Sequence, residues 1–215
     1  MSARLLALGT CAALSLGCSL GQGDGDVYSV GGLHATDCWD AAYSMRPDFF
    51  AAVPYRSTLQ IRVQRGSDLQ EVSDGLSVLI DDVDVIRAEK LDVDLSVALP
   101  PGVEPPGSPP PEPKPQELAP LVHMALYLQR SCHNQNTVLY AVSGTIKFQA
   151  LFSGDPNETD AADKYTDAEF DVMVGDPRDA ALGDPADAIP PELLSRVRGY
   201  FRFYFERGQP GQPFP

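Results

Sequence analysis

"VLYAVSGTIKFQALF", residues 138–152, is the stretch from which the fold class can be read. Val138, Tyr140, Val142, Ile146, Phe148 and Phe152 fall at every second position, with Gly144 and Ala150 completing the row. A period of two sends alternate side chains to opposite faces of an extended chain, so the run predicts strand with one dry face. It is too long for an ordinary single strand. Gly144 is therefore the place to expect a bulge, bend or turn.

The same alternation recurs on both sides of this run. Leu59, Ile61 and Val63 alternate with Gln60, Arg62 and Gln64, and Leu91, Val93, Leu95 and Val97 alternate with Asp92, Asp94 and Ser96. Val122, Met124, Leu126 and Leu128 form another apolar row, opposite the half-polar row Leu121, His123, Ala125 and Tyr127. Phe170, Val172 and Val174 follow. Val197, Gly199, Phe201, Phe203 and Phe205 close the series, opposite Arg198, Tyr200, Arg202, Tyr204 and Glu206.

Residues 76–86 add one or two strands interrupted at Asp81-Asp82. About seven or eight short strands without a long amphipathic helix predict an all-β fold, a single antiparallel sandwich or barrel-like domain. One or two short helical turns fit beside them: Thr36 capping residues 37–45, and Pro190-Pro191-Glu192 opening a turn into the last strand. The segment 100–120, "PPGVEPPGSPPPEPKPQELAP", predicts a long, semi-stiff surface loop.

At the N-terminus, Arg4 precedes an apolar run from Leu5 to Leu16 that ends at Cys18, the arrangement of an export signal. Leu14-Ser15-Leu16-Gly17-Cys18 resembles the lipobox of bacterial lipoproteins, with Ser15 where leucine is usual. The resemblance implies cleavage before Cys18 and lipidation of that cysteine. It implies an address in the cell envelope, anchored in a membrane by the lipid, and Ser19 resembles the residue that follows the cysteine in outer-membrane lipoproteins. The expected organisation is a signal peptide over 1–17, a flexible tether over 18–35, a β domain over 36–208 and a tail over 209–215. Cys11 would leave with the signal and Cys18 would carry lipid, so Cys38 and Cys132 remain as a pair. Outside the cytoplasm they are expected to form a disulfide, worth roughly 4 to 5 kcal/mol by loop entropy.

The net charge is −14, and Arg4 is the only charged residue within 1–17, so loss of that segment makes the remainder −15. Such a body is repelled by nucleic acid and by anionic lipid headgroups. An envelope protein or a glycan is the expected partner. Arg198, Tyr200, Arg202 and Tyr204 share one face of the last strand, beside Arg196 and Arg207, and present guanidinium forks and aromatic faces to a ligand. The preferred reading is that these arginines face carboxylates such as Asp92 and Asp94 across the sheet.

Gly-Asp-Pro recurs at 154, 175 and 183, each a turn signal. Asp155, Asn157, Glu158, Asp160 and Asp163 supply closely spaced oxygens, as do Asp176, Asp179, Asp184 and Asp187. Calcium is the one cofactor such spacing suggests, but Asp160 stands where a calcium loop needs its glycine and Thr166 where it needs the bidentate glutamate. The expectation is solvated acidic turns and no cofactor. The sequence carries no G-x-S-x-G, H-E-x-x-H, P-loop or G-x-G-x-x-G, and His34, His123 and His133 are its only histidines. A non-catalytic structural, adhesive or ligand-binding role is expected. The alternative is a hydrolase or esterase acting on envelope polysaccharide or peptidoglycan.

Overall fold

The computed structural model describes residues 23–66, 73–99, 121–133, 135, 137–182 and 189–207. The signal-peptide and lipidation expectations on residues 1–17 and Cys18, the Pro-rich loop and the tail at 209–215 all lie outside the described residues. Among the described residues twelve strands occur: β1 (Gly23–Ser29), β2 (Leu33–Ala35), β3 (Trp39–Ala41), β4 (Ser44–Met45), β5 (Phe49–Tyr55), β6 (Thr58–Gln64), β7 (Asp74–Ile80), β8 (Leu95–Ser96), β9 (Val122–Leu128), β10 (Val138–Ala150), β11 (Tyr165–Gly175) and β12 (Ser195–Tyr204). Two short helices, α1 (Val83–Glu89) and α2 (Ala161–Lys164), and two 3-10 turns accompany them. The fold is all-β, as the alternation predicts.

Nine strands form one path in the order β4-β1-β12-β11-β10-β9-β7-β6-β5, β8 adds to β10, and β2 pairs only with β3. Every ladder between strands is antiparallel. The first and last strands of the path, β4 and β5, are separated in the chain only by Arg46, Pro47 and Asp48. The two ends of the sheet are therefore tied together, and the sheet must curl into a barrel-like form. Phe50 of β5 accordingly stacks on Phe203 of β12 with ring centroids 5.7 Å apart.

The curl encloses one core. Leu59, Ile61, Val63, Val78, Leu126, Ile146, Phe148 and Phe201 are all fully buried. Each such side chain contributes roughly 1.5–3 kcal/mol on leaving water. Val197, Phe201 and Phe203 point inward from β12 as their period predicts.

β10 departs from the simple reading in an instructive way. It is one strand of 13 residues, but its buried residues are Leu139 and Ala141, then Ile146 and Phe148. The pairing with β11 steps from Ala141↔Val174 to Ser143↔Met173, which leaves Val142 as an extra residue. One extra residue reverses which parity faces the core. Val138, Tyr140 and Val142 therefore belong to the other face, and the expected single apolar row does not exist. Gly144 follows the bulge with φ 118°, and a Cβ there would lie 2.3 Å from the Asp171 carbonyl oxygen.

Four further expectations are corrected. The tether over 18–35 contains β1 and β2, and β1 lies inside the sheet between β4 and β12. Gly23, read as linker, is packed so closely that a Cβ would meet the Phe50 ring at 2.4 Å. Thr36 caps no helix, because residues 33–41 form the β2–β3 hairpin and Asp37 has φ 61°. Asp81-Asp82 separates a strand from a helix: Asp82 accepts the Val85 N–H at 3.0 Å and caps α1, which buries Val83 and Ile86. Of the row 91–97 only Leu95–Ser96 forms strand. The turn expected at Pro190-Pro191-Glu192 is present as a 3-10 turn, Pro191–Leu193, leading into β12.

Candidate functional site: the outer face of β12

β12 runs between β1 and β11, so the outward side chains from Arg198 to Arg202 have a neighbour on both sides. Arg198 stands opposite Tyr28 and Asp171, Tyr200 opposite Asp26 and Glu169, Arg202 opposite Asp24 and Asp167, and Tyr204 opposite Tyr165. Arg198, Tyr200, Arg202 and Tyr204 are thus brought together on one face, as the sequence predicts.

The arginines do face carboxylates across the sheet, though these are Asp171 and Asp24 rather than Asp92 and Asp94. Arg196 donates to Asp171 through Nε (2.8 Å) and Nη2 (2.7 Å), and Arg198 Nε donates to the same carboxylate at 2.8 Å. Hydrogen bonds from Arg196, then from Arg198, hold the Asp171 carboxyl down at about 2. Arg202 Nη2 and the Tyr200 hydroxyl both donate to Asp24, at 3.0 and 3.2 Å. The Arg202 hydrogen bond lowers the Asp24 pKa. The Arg202 guanidinium also lies 5.5 Å from the centre of the Tyr200 ring, within cation–π range. Tyr204 packs on Tyr165 with centroids 4.8 Å apart. Asp94 pairs instead with Lys147 at 3.4 Å, and Glu169 shares that lysine at 3.5 Å. Asp92 sits in a turn with φ 61°.

A groove of about 350 Å³ opens on this face. Tyr28 and Tyr200, 39% and 37% exposed, stand on its flanks, while Arg198, Asp171, Glu169 and Asp94 give it polar walls. Its floor is Gly199, against which the Phe170 ring packs. Chemically the groove offers two aromatic faces beside guanidinium donors already fixed by carboxylates, an arrangement suited to a ring-shaped polar ligand. Sequence reading missed Tyr28, Asp24 and Lys147. Tyr28 and Asp24 were hidden because β1 read as linker.

The acidic loop after Gly154 is committed to its own backbone. Glu158 accepts the N–H groups of Thr159 and Asp160 (2.8 and 3.0 Å) and the Ser153 hydroxyl (3.2 Å). The bonds from Asp160 and Thr159 lower its pKa. Asp155 accepts from Asn157 N–H, Asp160 caps α2 through Ala162 N–H, both at 2.8 Å, and Asp163 pairs with Arg87. Among the described residues no three His, Cys, Asp or Glu side chains are grouped so as to hold a metal ion.

The second acidic set divides, since Asp184 and Asp187 lie outside the described residues. Asp176 and Asp179 are each 1% exposed. Arg178 donates to Asp176 through Nε at 2.9 Å, to Gln135 Oε1 at 2.9 Å and to the Thr36 carbonyl at 2.8 Å. Asp179 accepts from the Thr36 hydroxyl and lies 3.6 Å from His34 Nε2. Beside this knot Cys38 and Cys132 form the expected disulfide, joining the β2–β3 turn to the turn after β9 across 94 residues. His123 is buried, with Nδ1 3.0 Å from the Ala98 carbonyl and Nε2 3.2 Å from Asp81 Oδ2.

Comparison with known proteins gives no match to a family model, to a curated protein or to a solved structure.

Proposed function

We propose that this is a bacterial cell-envelope protein, cleaved before Cys18, lipid-anchored there in the outer membrane, whose β domain binds a ligand without chemical catalysis. The lipobox-like Leu14 to Cys18 supports the address. The Cys38–Cys132 disulfide is consistent with it, because such bonds persist in oxidising compartments. The observation that carries the binding role is the open groove between Tyr28 and Tyr200, with Arg198 set at its wall. Its ionised groups are engaged with one another, and a carboxyl held near 2 is far from the working pH that general acid–base chemistry requires. A glycan of the envelope is the ligand class that the aromatic and guanidinium surface fits.

The test has two parts. Replacing Cys18→Ser removes palmitate label and releases the protein from the membrane fraction; label retained in the variant refutes the anchor. The double variant R198S/R202S loses binding on an array of envelope glycans, and unaltered binding refutes the groove.

A further inference from the structure

A second cavity, of about 350 Å³, lies on another part of the surface, beside the disulfide. Trp39, Tyr43, Arg65, Arg130, Asp74 and Ser131 are among its walls. Trp39 directly follows Cys38 and Ser131 directly precedes Cys132, so the disulfide pins one wall to the other. At the base, Asp74 is 8% exposed and its carboxylate is spent: it accepts from the N–H groups of Arg130 and Ser131 at 2.9 and 3.0 Å and from the Ser131 hydroxyl at 2.5 Å. These bonds fix the backbone from which the Arg130 side chain projects.

Two guanidiniums remain uncommitted around that base. The Tyr43 hydroxyl, in a residue only 5% exposed, lies against the Asp74 carboxylate. Burial keeps its pKa above the ordinary value, so it stays an O–H donor. Arg65 and Arg130 are exposed and, among the described residues, neither guanidinium enters an ion pair. Two guanidiniums against one carboxylate leave a local excess of positive charge in a chain of net charge −14. Trp39, the only tryptophan in the chain, stands edge-on to the Tyr43 ring at 6.2 Å, which fixes its orientation at the cavity.

We infer that this cavity binds a carboxylated sugar, a uronic acid or similar, with the carboxylate held by Arg65 and Arg130 and the pyranose laid against Trp39. A guanidinium fork matches a carboxylate in plane and at two points. An indole offers a flat apolar surface to the C–H face of a sugar. The site shares no lining residue with the groove on β12 and stands or falls independently of it.

The sole tryptophan makes the test direct. The full, oxidised chain is titrated separately with glucuronic acid, glucose and inorganic phosphate while Trp39 fluorescence is read. Glucuronate gives a saturable change, glucose gives none, and phosphate binds about tenfold more weakly because it lacks the ring. R65Q and R130Q each weaken glucuronate about tenfold, as loss of a charge-assisted bond requires, while leaving near-UV circular dichroism unchanged. A flat glucuronate titration overturns the assignment. So does phosphate binding as tightly as glucuronate, or a glucuronate response that neither arginine variant alters.

Discussion

Arginine and aspartate meet in two regions of this molecule, and burial gives the two meetings different weight. On the outer face of β12, Asp171 is 34% exposed and is shared by Arg196 and Arg198, which are 46% and 41% exposed. Under the β2–β3 hairpin, the Asp176 side chain is 2% exposed and is held by Arg178, which also ties down Gln135 and the Thr36 carbonyl. Exposed pairs gain little, since water screens them and long side chains lose freedom. A buried carboxylate that loses its partner keeps its full desolvation cost. The ladder is therefore a surface network laid on a fold that does not need it, whereas the knot is part of what holds the hairpin to the sheet.

The largest effect should come from the covalent member of the knot. Cys38 and Cys132 close a separation of 94 residues, for which the loop-entropy model gives about 4–5 kcal/mol. The double variant C38S/C132S should lose about that much in urea unfolding, and the β2–β3 hairpin should exchange its amide hydrogens first. Loss of less than about 1 kcal/mol would mean that the hairpin is held by the arginine alone.

Beneath the ladder the decisive element is backbone. Gly144 sits at φ 118° and faces the Asp171 carbonyl at 2.3 Å from where a Cβ would be. G144A should cost about 2–4 kcal/mol, since strain and overpacking add. An unchanged unfolding midpoint would show that β10 can shed its bulge.

Within the knot, R178A leaves Asp176 without its guanidinium and Gln135 and Thr36 without their donor. The expected loss is about 2 kcal/mol, because Arg178 itself is partly solvated. Raising the salt concentration should change this loss less than it changes that of the β12 pairs, since the Asp176 carboxylate is buried.

The sequence is legible wherever one face of a strand stays in the core without interruption. β6, β11 and β12 meet that condition, and their buried rows match the period of two. β10 breaks it, because a bulge is a relation between two strands and only the pairing with β11 shows which residue is extra. β1 was unreadable for another reason: glycine and aspartate have low strand propensity, and here they pair because β12 supplies the ladder and Phe50 needs the space at Gly23. The helix α1 had a readable signal, Asp82 three residues before the Val85 N–H, but Val83, Val85 and Ile86 fit strand equally well. Of the outer face of β12, Arg198, Tyr200, Arg202 and Tyr204 were legible because they share one strand. Asp24 and Tyr28 were not, since they meet β12 from more than 160 residues away.

The smallest expected effect is the one that tests the comparison most sharply. Asp171 titrates at about 2 against an ordinary 3.8, chiefly because Arg196 donates to its ionised form. A carboxyl whose folded pKa lies below its unfolded value stabilises the fold above the unfolded value and stops doing so as the pH falls through the folded one. The contribution of Asp171 is thus complete above about pH 4 and fades towards pH 2. Solvent screening at a one-third exposed carboxylate keeps it below about 1 kcal/mol. D171N should therefore lower stability at pH 7 by less than about 1 kcal/mol, less again in high salt. The gap from wild type should close as both are taken to about pH 2. If D171N cost as much as R178A, or cost the same at pH 7 and at pH 2, the ladder would be bearing structural weight and exposure would not be what separates the two regions.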